Sequence, residues 1–524
     1  MAEFYSQQGK WLQEAESLEP KLHKRTMKPV SLARPMRDES AFQGWRVEPA
    51  GEVEEAYSKI RERTWEESFD FGSHYVGRLS FKVELEGICD SPLKLKILFA
   101  ELPAEIGMGF DCPEAKAAGL GHAWLQEEVV VVDLLPAEIK LPRRYAFRYV
   151  KISAEGNSPY YKTRISGLSC ETESSVDLDS APPLPKGTPE SLRRIDSISL
   201  RTLANCMQSV FEDGPKRDRR LWLGDFRLQA LLNYASFRNF EISKRCLLLF
   251  AGLADENGLV ATNLYTKPQL IRGKSDIYDY ISIFPACVHE YAKASGDWSL
   301  AEELWPVALR QMDFVLGEHA PNGSFLNKAG WWRFIDWSDI DKTAAIMAVS
   351  VYALKTAAAL GRDLGRNAEA DPLEKAAANL QKQALEQLFD STRGVFVSGP
   401  DKQVSWASQI WMTLAGVVEG KTAAKALLGA MNDPAALPAV APYLHHFLVE
   451  ALLAANLEKE AFAHIEGYWG EMARLGADTF WEVFDPKDQK RSPYSSHLMN
   501  SACHAWSCTP SLFIRTAKTV LQFP

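Results

Sequence analysis

The sequence predicts an N-terminal antiparallel β-sandwich, jelly-roll-like, joined to an all-helical domain built as an (α/α)6 toroid. Three observations carry this: the apolar period switches from two to 3.6 along the chain, a proline-rich segment marks the switch, and about twelve helical segments follow without a convincing strand pair. In the first part, the stretch from Gly77 alternates, with Leu79, Phe81, Val83 and Leu85 on one face. Segments from Leu93, Glu127, Arg143 and Tyr160 continue that pattern, separated by Gly, Pro and Asp turns. The run from Ser180, SAPPLPKGTP, reads as a linker. The expected organisation is an N-terminal extension over 1–40, a β-sandwich over 41–179, a linker over 180–188 and a helical catalytic domain over 189–524.

Past the linker, Leu192, Ile195, Ile198, Thr202, Cys206 and Val210 form one helical stripe, opened by Thr188-Pro189. Further helices are expected near 224–238, 241–255, 278–296, 299–319, 340–362, 371–390, 405–418, 420–431, 442–456, 458–474 and within 495–521. Several, such as TAAIMAVSVYALKTAAALG from Thr343, are apolar almost all round, which suits helices covered on both sides. Two concentric rings satisfy this; a large irregular bundle is the alternative. No short repeat period points to a solenoid.

Composition narrows the function. The chain has 524 residues, 59 Lys and Arg against 68 Asp and Glu, and a formal charge of −9, which argues against a nucleic-acid partner. Apolar residues are 46% and charged residues 24%, ordinary for a soluble globular protein. The 15 Trp and 16 Tyr residues suit a protein that stacks flat ligand faces, sugars above all, although most aromatics serve the core. The eight Cys form no C-x-x-C pair and read as reduced thiols. The N-terminus has no signal-peptide apolar region, and the longest apolar run, Val129 to Leu135, is far short of a membrane span. A cytoplasmic protein with no membrane partner, no cofactor and no dedicated metal site is the expectation.

Chemistry concentrates in four places. EDGPKRDRRLWLGD, from Glu212, puts Asp213, Asp218 and Asp225 with Trp222 in one loop between the first two helices. A solvated charged loop is the plain alternative, but Pro215 and Trp222 among the charges imply a partly dry one. GADTFWEVFDP, from Gly476, sets Glu482 between Trp481 and Phe484; a carboxylate in an aromatic wall is costly unless paired or working. The segment from Ser495 offers His497, His504 and Trp506. GWWRFIDWSDID, from Gly330, places Asp336 beside Trp337, where a buried loop clamp is equally consistent. Tyr278-Asp279-Tyr280, Trp406-Ala407-Ser408 and His445-His446 are weaker candidates. No phosphate loop, dinucleotide fingerprint, zinc-protease or nucleophile-elbow motif is present. Carboxylates among Trp and Tyr on such a scaffold suggest glycoside hydrolysis, where one carboxylic acid protonates the leaving oxygen and a second carboxylate activates water or attacks.

Here the sequence resembles the α-L-rhamnosidases of glycoside hydrolase family 78. That family carries D-C/G-P-x-R-E-x-x-x-W-x-G-D between the first two helices, matched by Asp213, Gly214, Pro215, Arg217, Asp218, Trp222, Gly224 and Asp225. Its T-x-W-E motif resembles Thr479, Trp481 and Glu482, and its H-x-W element resembles His504 and Trp506. The resemblance spans roughly 185–515, with an echo at LPRRYAFRYVKI from Leu141. It implies release of terminal α-L-rhamnose from a carbohydrate substrate with inversion, Asp218 as general acid and Glu482 as general base. Asp213, Arg217, Trp222, Asp225, Asp336, Trp337, Trp481 and His504 would contact the sugar. Where the family has Glu at the acid position this chain has Asp218, whose carboxyl sits ~1.5 Å further back unless the loop moves in. Arg217 and Arg219 flank it in sequence, so burial or repulsion from Asp213 and Asp225 must keep a proton on it. Another glycosidase of the same fold, a catalytically weak sugar-binding relative and a polysaccharide lyase are the rival readings.

Overall fold

The computed structural model of the protein describes residues 2–117, 119 and 121–517. Its N-terminal part is an antiparallel sheet of β1 (His23–Met27), β2 (Ser31–Arg37), β3 (Trp45–Pro49), β4 (Trp65–Gly87), β5 (Leu93–Ala100), β6 (Glu127–Val132), β7 (Ala137–Lys140), β8 (Tyr145–Ala154) and β9 (Tyr161–Ser174). The strand order is β1-β9-β4-β8-β5-β6, with β2 bridging β3 to β4 and β7 on the side of β4. The long β4 pairs β8 along its first half and β9 along its second. Its register with β8 shifts between Asp70 and Tyr75, where Gly72 has φ +79°, and such a bulge lets one strand bend between two sets of neighbours. Leu79, Phe81 and Val83 share one core with Leu95, Ile97, Phe99 and Phe147, while Lys82 and Glu84 between them are exposed. Period-two patterning thus has its usual cause, a sheet with one dry face.

Within 1–40, expected as an extension, the described residues from Ala2 onward belong instead to both domains. Helix α1 (Ala2–Ser17) packs on the helical domain and buries Trp11, and β1 and β2 enter the sheet, which therefore begins at His23 rather than 41. β1 is an edge strand with almost every side chain exposed, so it carries no apolar alternation.

The helical part contains α2 (Glu190–Cys206), α3 (Leu223–Ala235), α4 (Phe240–Gly252), α5 (Phe284–Ser295), α6 (Trp298–Gly317), α7 (Thr343–Asp363), α8 (Asn367–Leu388), α9 (Trp406–Leu414), α10 (Gly420–Asn432), α11 (Pro442–Ala454), α12 (Glu458–Arg474) and α13 (Pro510–Thr516). The side chains of Asn239, Asp297 and Ser405 cap α4, α6 and α9. α3 packs on α5, α5 on α7, α7 on α9 and α9 on α11, and α13 returns to α3. α2 packs on α12, α6 on α5 and α8 on α7. α7 is long and apolar enough to cross a membrane by composition, yet 78% of its apolar window is buried inside the protein. The last helix covers only part of the expected 495–521, and 518–521 lie outside the described residues.

Candidate active site

The first constellation lies in the loop between α2 and α3. Its end is held by a small antiparallel sheet of β10 (Leu221–Trp222), β11 (Asn263–Tyr265) and β12 (Ile271–Arg272), which aims Trp222 and the start of α3. Its middle is held by Lys216, a buried ammonium bonded to Glu105 and to the carbonyls of Leu498 (3.0 Å) and Asn500 (2.9 Å). Glu105 follows β5, and its neighbour Glu101 accepts the Ala502 amide at 2.6 Å. Arg144 of the β domain grips Glu212 through both carboxylate oxygens, and its carbonyl accepts Arg219 at 2.7 Å. The β domain therefore anchors both the 212–219 loop and the 498–502 segment. The expectation that Arg217 and Arg219 both flank Asp218 holds only for Arg217, because Arg219 is spent on backbone carbonyls, including that of Pro215.

The second constellation is Glu482. Arg217 Nη2 donates to both of its oxygens at 2.5 Å, the Tyr494 hydroxyl donates to Oε1 at 2.6 Å, and the Ser501 amide donates to Oε2 at 2.9 Å. These contacts occupy the roughly four acceptor sites of a carboxylate. Burial alone would raise its pKa, but the Arg217 charge, with His504 and the Tyr494 hydroxyl, holds it down to about 2. Arg217 also lies over the Tyr494 ring, 4.3 Å from its centroid, and its Nη1 approaches Asp218 Oδ1 at 3.3 Å. One guanidinium thus bridges Asp218 and Glu482, which keeps their nearest oxygens within about 8 Å of each other.

Asp213, Asp218, Asp225, Glu482 and His504 line one cavity of about 280 Å³, close to the lower end of small-molecule sites at ~300–1,000 Å³. Its walls are aromatic: Trp124 from the β domain, then Trp222, Tyr280, Phe334, Trp337 and Trp506. Burial, then repulsion from Asp218 and Asp225, pushes Asp213 well above the usual carboxylate range. Asp225 sits in the first turn of α3, where the helix dipole favours an anion, yet burial pushes it up to about 8. Burial lowers His504 to about 4, so its ring is neutral at pH 7. Its nitrogens stand 3.9 Å from Asp213, 3.8 Å from Asp225 and 4.0 Å from Glu482, each just beyond direct hydrogen bonding. Among the described residues, Asp225 Oδ1 and His504 Nδ1 are both buried without a hydrogen-bond partner. Unmet polar groups facing one another across a cavity match a ligand rich in hydroxyls.

Of the residues that the resemblance assigns to the site, Asp213, Arg217, Asp218, Trp222, Asp225, Trp337, Glu482 and His504 meet here, joined by Trp506, while His497 lies off the cavity. Two of those assigned do not. Asp336 accepts the Val440 (2.9 Å) and Ala441 (2.8 Å) amides just ahead of α11, so it is a loop clamp. Trp481 stacks on Phe42 with ring centroids 4.1 Å apart, while Glu482 takes the cleft side. Asp279 clamps the Phe334 and Ile335 amides, and Trp406, His445 and His446 lie off the cavity. Tyr280, a weaker candidate, is a wall residue and donates to Asp225 at 3.2 Å. Trp124 and Tyr494 were not legible as site residues, because no motif contains them and only the tertiary fold brings them in; Phe334 lies in the segment from Gly330, where Asp336 and Trp337 drew the attention instead.

The chain matches the family model of the glycosyl hydrolase family 78 alpha-rhamnosidase N-terminal domain over residues 29–172, and that of the bacterial alpha-L-rhamnosidase 6 hairpin glycosidase domain over 187–517. It is similar to a rhamnosidase from Klebsiella oxytoca solved with rhamnose bound, at 39% identity and a TM-score of 0.92, covering 97% of this chain and 98% of that one. The family 78 rhamnosidase of Bacillus sp. GL1 shares the fold at 23% identity and a TM-score of 0.73, over 86% of this chain and 46% of that one. The α-L-rhamnosidase from Dictyoglumus thermophilum shares it at 16% identity and a TM-score of 0.66, over 94% of this chain and 51% of that one. None of the curated proteins matches the chain. The cavity, its carboxylates and these likenesses agree, and the chain belongs to the glycosyl hydrolase family 78 alpha-rhamnosidases, a family of glycosidases.

Proposed function

We propose that the protein hydrolyses terminal α-L-rhamnosides with inversion at the anomeric carbon, Asp218 serving as general acid and Glu482 as general base. The observation that carries this reading is the convergence of two chain segments 265 residues apart on one sugar-sized cavity, with both carboxylates touching Arg217. The assignment of roles follows from exposure and charge. Asp218 has the most open carboxylate of the four, with its side chain 15% exposed against 2% for Glu482 and 3% for Asp225. A leaving group departs toward solvent, so its oxygen takes a proton from the carboxyl nearest the mouth. Glu482, ionised and held on every side, suits a base that must stay charged and still. All of its acceptor sites are taken in the free protein, so accepting a proton from water requires one hydrogen bond to open; Arg217 is the donor whose other face already reaches toward the substrate space. Asp213 and Asp225, whose carboxyls burial pushes toward the protonated form, are suited to donate to sugar hydroxyls, with His504 and Trp222 completing the rhamnose pocket and Trp337 as a wall.

The same reading closes the helices into an (α/α)6 toroid: α3, α5, α7, α9, α11 and α13 are the inner ring and α2, α4, α6, α8, α10 and α12 the outer. The return of α13 to α3 supports it. The curled sheet in front is the β-sandwich, which braces the catalytic loops. Eight unpaired cysteines, six of them buried, support a reducing, cytoplasmic setting.

Proton NMR of the hydrolysis of an α-L-rhamnoside tests the reaction. The first-formed sugar should be the β anomer, and Asp218→Asn and Glu482→Gln should each lower kcat by roughly 100- to 10,000-fold. The α anomer formed first would overturn inversion. A Glu482→Gln variant at wild-type rate would overturn the base.

A further inference from the structure

The backbone amide that holds Glu482 has a neighbour held by the other domain. The Ser501 amide donates to Glu482 Oε2 at 2.9 Å, and the next amide, that of Ala502, donates to Glu101 Oε2 at 2.6 Å. The same stretch is tied to the segment that carries Glu482. The Thr479 hydroxyl donates to the Ala502 carbonyl at 2.7 Å, and the Glu482 amide to the Ser501 carbonyl at 2.9 Å. Glu101, just past the end of β5, ties it to the β domain. Glu101 is fixed in turn. His74 of β4 places Nε2 2.9 Å from Glu101 Oε1. The side-chain nitrogen of Asn205, in α2, lies 2.9 Å from His74 Nδ1 and 3.2 Å from the His74 carbonyl. An amide nitrogen can only donate, so Nδ1 accepts and Nε2 carries the hydrogen to Glu101. The His74 amide donates to Asp478 Oδ2 at 2.8 Å, in the same segment as Glu482.

The side chains of His74 and Glu101 are both 0% exposed, and neither lines the active-site cavity. They reach a substrate only through what they hold. Ionisable groups taken out of water are costly, and apolar residues of similar volume would fill the same space as well or better. Resting on the reading of Glu482 as general base, we propose that Glu101, set by His74, is a positioning residue for that base: it holds the 501–502 peptide so that the Ser501 amide stays on Glu482. The need is sharpest during the reaction. If Glu482 opens its bond to Arg217 to accept a proton from water, the Ser501 amide and the Tyr494 hydroxyl are the donors left to aim it. Without Glu101 the buried Ala502 amide must find another acceptor, and the turn moves with it. A displacement of about 1 Å can cost on the order of 100-fold in rate.

The test measures kcat and KM on 4-nitrophenyl α-L-rhamnoside for the full chain and its variants. Glu101→Leu offers the Ala502 amide no acceptor; it should lower kcat about 10- to 100-fold and leave KM within about twofold. Glu101→Gln keeps an acceptor of the same reach and should recover kcat to within about threefold of the wild type. In a Glu482→Gln background, where the base is already gone, Glu101→Leu should lower the remaining rate by less than about twofold, because residues that act as a unit do not add. Three results each overturn the positioning role and leave the reaction standing: Glu101→Leu at wild-type kcat, Glu101→Gln as slow as Glu101→Leu, or the same fold loss with and without the base. His74→Phe, which fills similar space and donates nothing, carries the test where Glu101→Leu does not fold. Its kcat should fall about fivefold at level KM, and an unchanged kcat overturns the proposal. A wild type with no activity on rhamnosides overturns the reaction and the positioning role with it.

Discussion

The two walls of the cleft carry buried carboxylates in opposite proton states. On one wall Glu482 is drawn down to about 2; on the other Asp225 is pushed up to about 8. Both side chains are almost wholly buried, 2% and 3% exposed, and His504 lies about 4 Å from each. Burial acts on both in the same direction. The difference is the partner: Glu482 has a guanidinium, a phenol and a backbone amide, whereas Asp225 has one phenol at 3.2 Å and a free oxygen. In a dry site the nearest cation decides whether a carboxylate keeps its proton. A single arginine therefore divides the cleft into a charged side suited to proton acceptance and a neutral side suited to donating hydrogen bonds.

Removing that arginine breaks the division most completely. Arg217→Met leaves Glu482 buried without a cation, so its pKa should climb toward that of Asp225. The acid limb of the pH profile of kcat/KM should move up by several pH units, with activity at pH 7 falling by roughly 100-fold or more. Breaking the buried pair should also cost about 3–5 kcal/mol of stability. An unmoved acid limb in a folded variant would show that Arg217 does not set the charge of Glu482. Tyr494→Phe removes one donor and leaves the cation in place. It should produce the same effect in miniature: the acid limb up by about one pH unit and kcat down about tenfold, with Tm almost unchanged. If Tyr494→Phe shifts the profile more than Arg217→Met, the hydrogen bond outranks the charge and the comparison inverts.

Sequence reasoning reached the charged wall and the neutral wall unequally. Asp213, Arg217, Asp218, Trp222 and Asp225 lie within one short loop and helix start, where local spacing carries the chemistry. Glu482 was visible because a carboxylate among aromatics is conspicuous, but the motif that carries it also put Trp481 at the sugar, and that side chain turns the other way. Asp336 was visible for the same reason and serves the backbone ahead of α11. What local sequence could not hold was any partner brought by folding: Tyr494 from twelve residues beyond Glu482, Trp124 and Glu105 from the β domain, and the Lys216 anchor. All the helices except the last, which starts at Pro510 within the expected 495–521, were legible to within a few residues, since 3.6-period stripes are local. β1 and β2 were not, because an exposed edge strand shows no alternation and Pro35 interrupts the second.

The neutral wall is where the smallest effect is expected, and it has the opposite sign for stability. Folded Asp225 keeps its proton until pH passes about 8, whereas an unfolded aspartate releases it near ~3.9. Between those values the folded state binds the extra proton, so this group lowers stability progressively as pH rises through that window. Asp225→Asn should remove that burden. It should gain about 1–3 kcal/mol at pH 8, read as a Tm increase of a few degrees, with little gain near pH 4, where both states are protonated. Activity should fall at the same time, because asparagine presents a different donor to the sugar; a residue kept at a cost to stability is the usual mark of a working site. A Tm gain that is the same at pH 5 and pH 8 would mean that shape, not charge, separates the two walls.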